Sequence, residues 1–131
     1  MLVTLALATH SGVVTAARNQ LGSVAEERAA QHLQQHGFSI LERNFRCRTG
    51  ELDIIARRQR LLVIAEVRLR SGNQFGGAAA SITHAKQSRI LRAARYFLIC
   101  RPQLRTLTVR FDTLLLNSQD GPIEWIESAF T

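Results

Sequence analysis

Asp53, Glu66 and Arg68 stand in the spacing with the most chemical content: an acid, a gap of one hairpin, then acid-x-base in a stretch that alternates like a β-strand. Carboxylates gathered in this way can hold Mg²⁺, a hard cation that prefers oxygen and commonly takes a few carboxylates plus water and phosphate. Such an ion orients and acidifies an attacking water and neutralises charge developing on a phosphodiester. The 131-residue chain has a formal net charge of +7, so acids collected among arginines need a physical reason.

Alternate side chains of a strand share a face. Glu51 and Asp53 are therefore expected on one face, with Leu52, Ile54 and Ala56 on the other. In the next strand Glu66 and Arg68 share a face, while Val63, Ala65, Val67 and Leu69 make the apolar side. A hairpin symmetric about Gln59 and Arg60 gives cross-strand partners whose numbers sum to 119, pairing Asp53 with Glu66 and Glu51 with Arg68. Opposed carboxylates lie roughly 5 Å apart. At an effective dielectric of about 20 they repel by about 3 kcal/mol. Two arrangements offset this: Arg68 as a structural ion pair with Glu51 or Glu66, or a divalent cation between Asp53 and Glu66.

Two helices are expected to flank these strands. From about Asn19 to His36, Leu21, Val24, Ala25, Ala29 and Leu33 recur at helical spacing, and Gly37 stands where a left-handed C-terminal cap is common. Glu26 shares a side with Ala29, Ala30 and Leu33 and can extend toward an acidic site or serve as a partly buried structural acid; Glu27 neighbours Gln31 and Gln34 and faces water. The second helix, about Thr83 to Cys100 and stopped by Pro102, carries the sole lysine, Lys86, on the side of Ile90, Ala93 and Phe97. Gln87 neighbours Ile90, Leu91 and Ala94, whereas Arg89, Arg92 and Arg95 lie farther round as a solvated basic face or as DNA contacts.

Strands are expected over Phe38 to Phe45, Glu51 to Ala56, Leu61 to Leu69, Leu107 to Leu116 and around Ile123 to Ile126. A glycine-rich loop, Ser71 to Gly77, precedes the second helix. The order α-β-β-β-α-β-β predicts an α/β layered domain, a central mixed sheet flanked by helices.

One domain suits this length. The apolar stretch Met1 to Val14 has no basic residue before its hydrophobic run, the first being Arg18, and is shorter than the ~20 residues that span a bilayer. Residues 1–18 are expected to be a poorly ordered extension and 19–131 the domain. Sixteen of the 17 basic residues are arginine, whose fork suits phosphate; charge alone does not separate DNA from RNA or an anionic membrane. Cys47 and Cys100 are too few for a disulfide framework or a Cys-rich zinc site, which points to the cytoplasm.

The ordered blocks Gly22-x-x-x-Glu26, Gly37-Phe38-x-Ile40-Leu41, Asn44, Gly50-Glu51-Leu52-Asp53-Ile54-Ile55 and Val63-x-x-Glu66-Val67-Arg68 resemble the YraN family of bacterial proteins. So do Phe75-Gly76-Gly77-Ala78-Ala79-Ala80-Ser81, Lys86-Gln87, Arg110-Phe111-Asp112 and Glu124-Trp125-Ile126. Members are regarded as endonucleases through their own likeness to restriction-endonuclease-like enzymes and archaeal Holliday-junction resolvases. The resemblance implies a restriction-endonuclease-like three-layer core in which Asp53 and Glu66 bind metal, with the Val67 carbonyl as a further ligand. It matches Glu26 to the first-helix glutamate of the resolvase-like branch, and it implies DNA, branched or distorted, as substrate and a homodimer for paired cuts. The pattern usually has lysine where this chain has Arg68. Arginine stays protonated and cannot act as a general base, so Arg68 is left to stabilise transition-state charge, and Lys86 is expected to replace the missing lysine.

Other signals carry less. His32 and His36 are one turn apart without a further zinc ligand, and His84 reads as a cap-region surface residue. Gly76 and Gly77 lack the Lys-Ser/Thr of a P-loop. Phe75, Tyr96, Phe97 and Trp125 read as core or interface residues, and Asp112 as a buried acceptor or an outer member of the site. The expectation is a Mg²⁺-dependent DNA endonuclease, with Mn²⁺ as substitute and no membrane partner. Glu26, Asp53, Glu66, Arg68 and Lys86 would be catalytic, and Arg46, Arg48, Arg70 and Gln87 would contact nucleic acid. The alternatives are a noncatalytic nucleic-acid-binding protein that retains the fold, and a protein-interaction adaptor.

Overall fold

The computed structural model describes residues 12–69, 82–116 and 121–130. The Ser71 to Gly77 loop, Phe75 and Arg70 lie outside these residues, as does most of the expected extension. Helix α1 spans Gly12–Gln35, strands β1, β2 and β3 span Ser39–Cys47, Gly50–Arg58 and Leu61–Leu69, and helix α2 spans His84–Cys100. A 3-10 turn, Pro102–Leu104, leads to β4, Thr108–Leu116, and β5, Glu124–Phe130. The expected order and the layered α/β architecture hold. Helix α1 opens at Gly12 rather than near Asn19; Ala16, Ala17 and Arg18 are strong helix formers, so helix continues past the stretch with apolar periodicity. It ends as expected, with Gly37 at φ 87° and the Phe38 amide bonded back to the Leu33 carbonyl at 3.0 Å.

One sheet runs in the order β1-β2-β3-β4-β5. Its pairs are antiparallel except β3 with β4, which is parallel and requires α2 in the connection. The β2–β3 register sums to 119 throughout, from Ile54 with Ala65 to Arg58 with Leu61.

The helices cover opposite faces. Ala25, Ala29, Ala30 and Leu33 of α1 pack on Ile54, Ala56, Val63 and Ala65, while Ile90, Ala93, Ala94 and Phe97 of α2 pack on Leu52, Ile55, Leu62 and Ile64. The expectation that Leu52, Ile54 and Ala56 share a face is therefore corrected: Leu52 lies on the α2 side, Ile54 and Ala56 on the α1 side. The cause is local. Asn44 of β1 takes φ 55° between the pairs Arg43 with Ile54 and Phe45 with Leu52, and a left-handed residue turns a strand over in a way that asparagine tolerates. Asp53 sits at this turnover.

Asp112 is fully buried and is not part of the acidic site. It accepts from Arg110 Nε and Nη2 at 2.9 and 2.8 Å, Trp125 Nε1 at 2.8 Å and the Ser128 amide at 3.1 Å. Every lone pair that burial would penalise is used, which ties β4 to β5.

Gly50 positions the site from below. A Cβ there would stand 2.9 Å from the Arg89 carbonyl oxygen, a backbone atom, so only glycine lets α2 settle against β2. Gly50→Ala is expected to lower stability by about 1–3 kcal/mol through overpacking, read as a lowered urea midpoint at unchanged slope; an unchanged midpoint would contradict this packing.

Candidate functional site

Past the Ile54–Ala65 pair the β2–β3 ladder ends, and the Val67 amide instead donates to Asp53 Oδ2 at 2.9 Å. This turns the Asp53 carboxylate toward β3, where Glu66 is only 6% exposed. Lys86 reaches in from α2, its Nζ 2.6 Å from Glu66 Oε2. The lysine is placed by its own helix start, since Thr83 caps α2 and its hydroxyl accepts from the Lys86 amide at 3.2 Å. Lys86 is thus an ion-pair partner of Glu66. Glu51 pairs with Arg46 at 3.3 Å.

The expected convergence of Asp53 and Glu66 is visible electrostatically. Burial, then the neighbouring Glu66 charge, pushes the Asp53 carboxyl from its ordinary 3.8 up to about 7, against the Val67 amide, which acts downward; Glu26 adds a smaller upward push and Lys86 a smaller downward one. Asp53 therefore feels a glutamate on α1 and a lysine on α2 while seated between them. Glu26 is half-buried, and Glu27 is exposed and bonds Arg43 at 2.8 Å and Gln31 at 3.1 Å, as their helical positions predict.

Asp53, Glu66 and Lys86 line a cleft of about 500 Å³ together with Arg46, Arg48, Glu51 and Arg89. Arg46 and Arg48 thus stand beside the acids, as expected. Arg89, expected as part of a solvated basic face or as a DNA contact, also lines the cleft; it lies three residues after Lys86, the spacing that places side chains on one side of a helix. Arg68 and Gln87 are not among the lining residues. Gln87 donates its amide to the Ile82 carbonyl at 2.7 Å and braces the approach to α2. Thr113, Glu66's register partner on β4, is fully buried, and its hydroxyl has no hydrogen-bond partner among the described residues. No sequence signal distinguishes it from its apolar neighbours.

Two carboxylates largely withdrawn from water, Asp53 with its pKa raised, fit a small hard cation. Among the described residues no three His, Cys, Asp or Glu side chains gather closely enough to form a cage, so remaining ligands would come from water and phosphate, as is usual for Mg²⁺. His32 and His36 build no metal site: both rings meet Trp125 edge-on, at 5.6 and 5.2 Å, and His36 Nδ1 lies 2.8 Å from the His32 carbonyl. His84 is exposed at the α2 start.

A model of the family described as "Uncharacterised protein family UPF0102" matches residues 25–116. A UPF0102 protein of Saccharophagus degradans is 47% identical over 116 residues, 88% of this chain and 97% of that one. One from Nitrosomonas europaea is 49% identical over 110 residues, 83% of this chain and 92% of its own length. The chain belongs to the UPF0102 family, in agreement with the YraN resemblance of its motifs.

The raised Asp53 pKa has a sign. The folded chain holds this proton more tightly than the unfolded chain, so the associated stability is complete below about pH 3.8 and is lost as pH rises through about 7. In chelator, urea midpoints of the wild type are expected to fall across that window, and those of Asp53→Asn to fall less; parallel profiles for the two proteins would refute a proton held at Asp53.

Proposed function

We propose that this chain is a Mg²⁺-dependent DNA endonuclease of restriction-endonuclease-like fold, with Mn²⁺ as a substitute ion, working in the cytoplasm. What carries the reading is the desolvated Asp53–Glu66 pair in a cleft that also carries Arg46, Arg48 and Arg89. Bound there, the ion would supply an acidified water and a counter-charge for the phosphodiester.

The chain's own residues account for the rest. Asp53 and Glu66 would hold the cation, and the Val67 amide, donating to Asp53, holds that carboxylate in place. Glu26 adds negative potential from α1 that favours a divalent charge at Asp53. Arg46, Arg48 and Arg89 receive phosphate oxygens along the rim. Lys86 neutralises Glu66 when no cation is bound. With a cation held by Asp53 and Glu66, the Lys86 ammonium would be available to the scissile phosphate. Arg68 contributes fixed positive charge and no proton transfer.

The Lys86–Glu66 pair at 2.6 Å also favours a second reading, a nucleic-acid-binding protein whose acidic pocket is closed by its own lysine. Turnover separates the two. With Mg²⁺ or Mn²⁺, the wild type is expected to cut at least one of linear, flapped and four-way DNA. Asp53→Asn and Glu66→Gln should each lose at least a hundredfold in rate, with DNA binding retained in chelator. Equal residual cleavage by all three proteins would mean a contaminating nuclease and would leave the binding reading.

A further inference from the structure

A second cleft, about 520 Å³, opens beside the carboxylate cleft and shares Arg46, Cys47, Arg48 and Thr49 with it as a common wall. Its other walls are Arg92, Arg95, Tyr96 and Ile99 of α2, and among the described residues no carboxylate lines it. Tyr96 and Ile99 are 49% and 66% exposed, an apolar floor inside a ring of four arginines. The size is that of a small-ligand pocket. The stripe Lys86, Arg89, Arg92, Tyr96 and Ile99 advances by three or four residues at each step, so it runs along one side of α2. From lysine to isoleucine it covers about 20 Å at the rise of an α-helix.

We infer that this cleft binds the base of an unpaired nucleotide adjoining the phosphate to be cut, with Tyr96 as its stacking platform. The inference rests on the nuclease reading for its place in a reaction, but its chemistry stands on the cleft. Arg46 is paired with Glu51, but Arg48, Arg92 and Arg95 leave the cleft with an excess of positive charge that selects a polyanion. An aromatic ring among them selects a π-face that follows the phosphates, the combination that binds single strands irrespective of sequence. The tyrosine ring is supported by Phe45, with centroids 6.2 Å apart and planes at 33°. A base paired within a duplex is stacked on its neighbours and cannot enter. The cleft is therefore filled only where a strand is displaced, frayed or branched beside the cut, and its continuity with the acidic cleft sets that unpaired nucleotide next to the scissile position.

The test is fluorescence anisotropy in chelator with a labelled single-stranded oligothymidylate and a blunt duplex of equal length. Tyr96→Ala is expected to bind the single strand about five- to a hundredfold more weakly, with duplex binding unchanged. Tyr96→Phe, which keeps the ring and removes only the hydroxyl, should bind as the wild type does. Arg92→Gln and Arg95→Gln should each flatten the single-strand salt dependence by about 0.7 in log-log slope. Placing 5-iododeoxyuridine in the strand should give a photo-crosslink that mass spectrometry assigns to Tyr96. Wild-type single-strand affinity in Tyr96→Ala, or equal losses on single strand and duplex, would overturn the inference. Tyr96-dependent binding without cleavage of any substrate would sink the nuclease reading alone, and cleavage indifferent to Tyr96 would sink the base cleft alone.

Discussion

Two carboxylates held out of water at the point where a β-hairpin opens set the terms for everything around them. Asp53 is drawn toward β3 by the Val67 amide, and Glu66 is nearly sealed beneath α2. For Asp53, burial and the neighbouring Glu66 charge penalise the ionised form by more than the Val67 amide offsets. The surroundings respond twice. A proton is retained on Asp53 well above the usual carboxylate range, and the only lysine in the sequence is delivered to Glu66 by a capped helix. Gly50 belongs to the same arrangement, since without its missing Cβ the helix could not lie near enough for that lysine to reach.

Much of this was legible because it obeys short-range rules. Strand β3 falls on its expected residues, the two-residue turn at Gln59 and Arg60 fixes the hairpin register, and Gly37 takes the left-handed cap that its place after an amphipathic stretch foretells. Lys86 could be singled out because a charged residue on the apolar side of a helix must meet something. What strict alternation could not convey was the turnover at Asn44, where one left-handed residue reverses which layer the following side chains address. From the pattern alone Leu52 and Ile54 are equivalent; in the folded chain they belong to opposite cores. That reversal leaves Asp53 between the layers, within electrostatic reach of both helices.

Partnerships between side chains were less legible than positions. Arg68 and Glu66 lie two apart on one strand, yet the cation that reaches Glu66 comes from a helix twenty residues downstream, a distance set by tertiary packing. Tyr96, expected as a core or interface residue, is half exposed and so lies outside the core. Helical periodicity places it next to Phe97, which is fully buried, while the ring itself emerges on the neighbouring side in the company of arginines. Asp112 shows the opposite case: an acid on a strand that resembles a site residue in sequence but is wholly consumed in bracing the last two strands.

The parallel seam between β3 and β4 has a kinetic consequence. Asp53 and Glu66 arrive together on a local hairpin, whereas α2 lies in the connection that must close before Leu61 can align with Thr108. Contacts between distant parts of a chain generally form after local ones, because loop entropy must be overcome first. The acids therefore meet before their lysine does. In a nascent chain at neutral pH, early hairpin closure is resisted by like charges, and a proton taken up by Asp53 eases it until the helix docks.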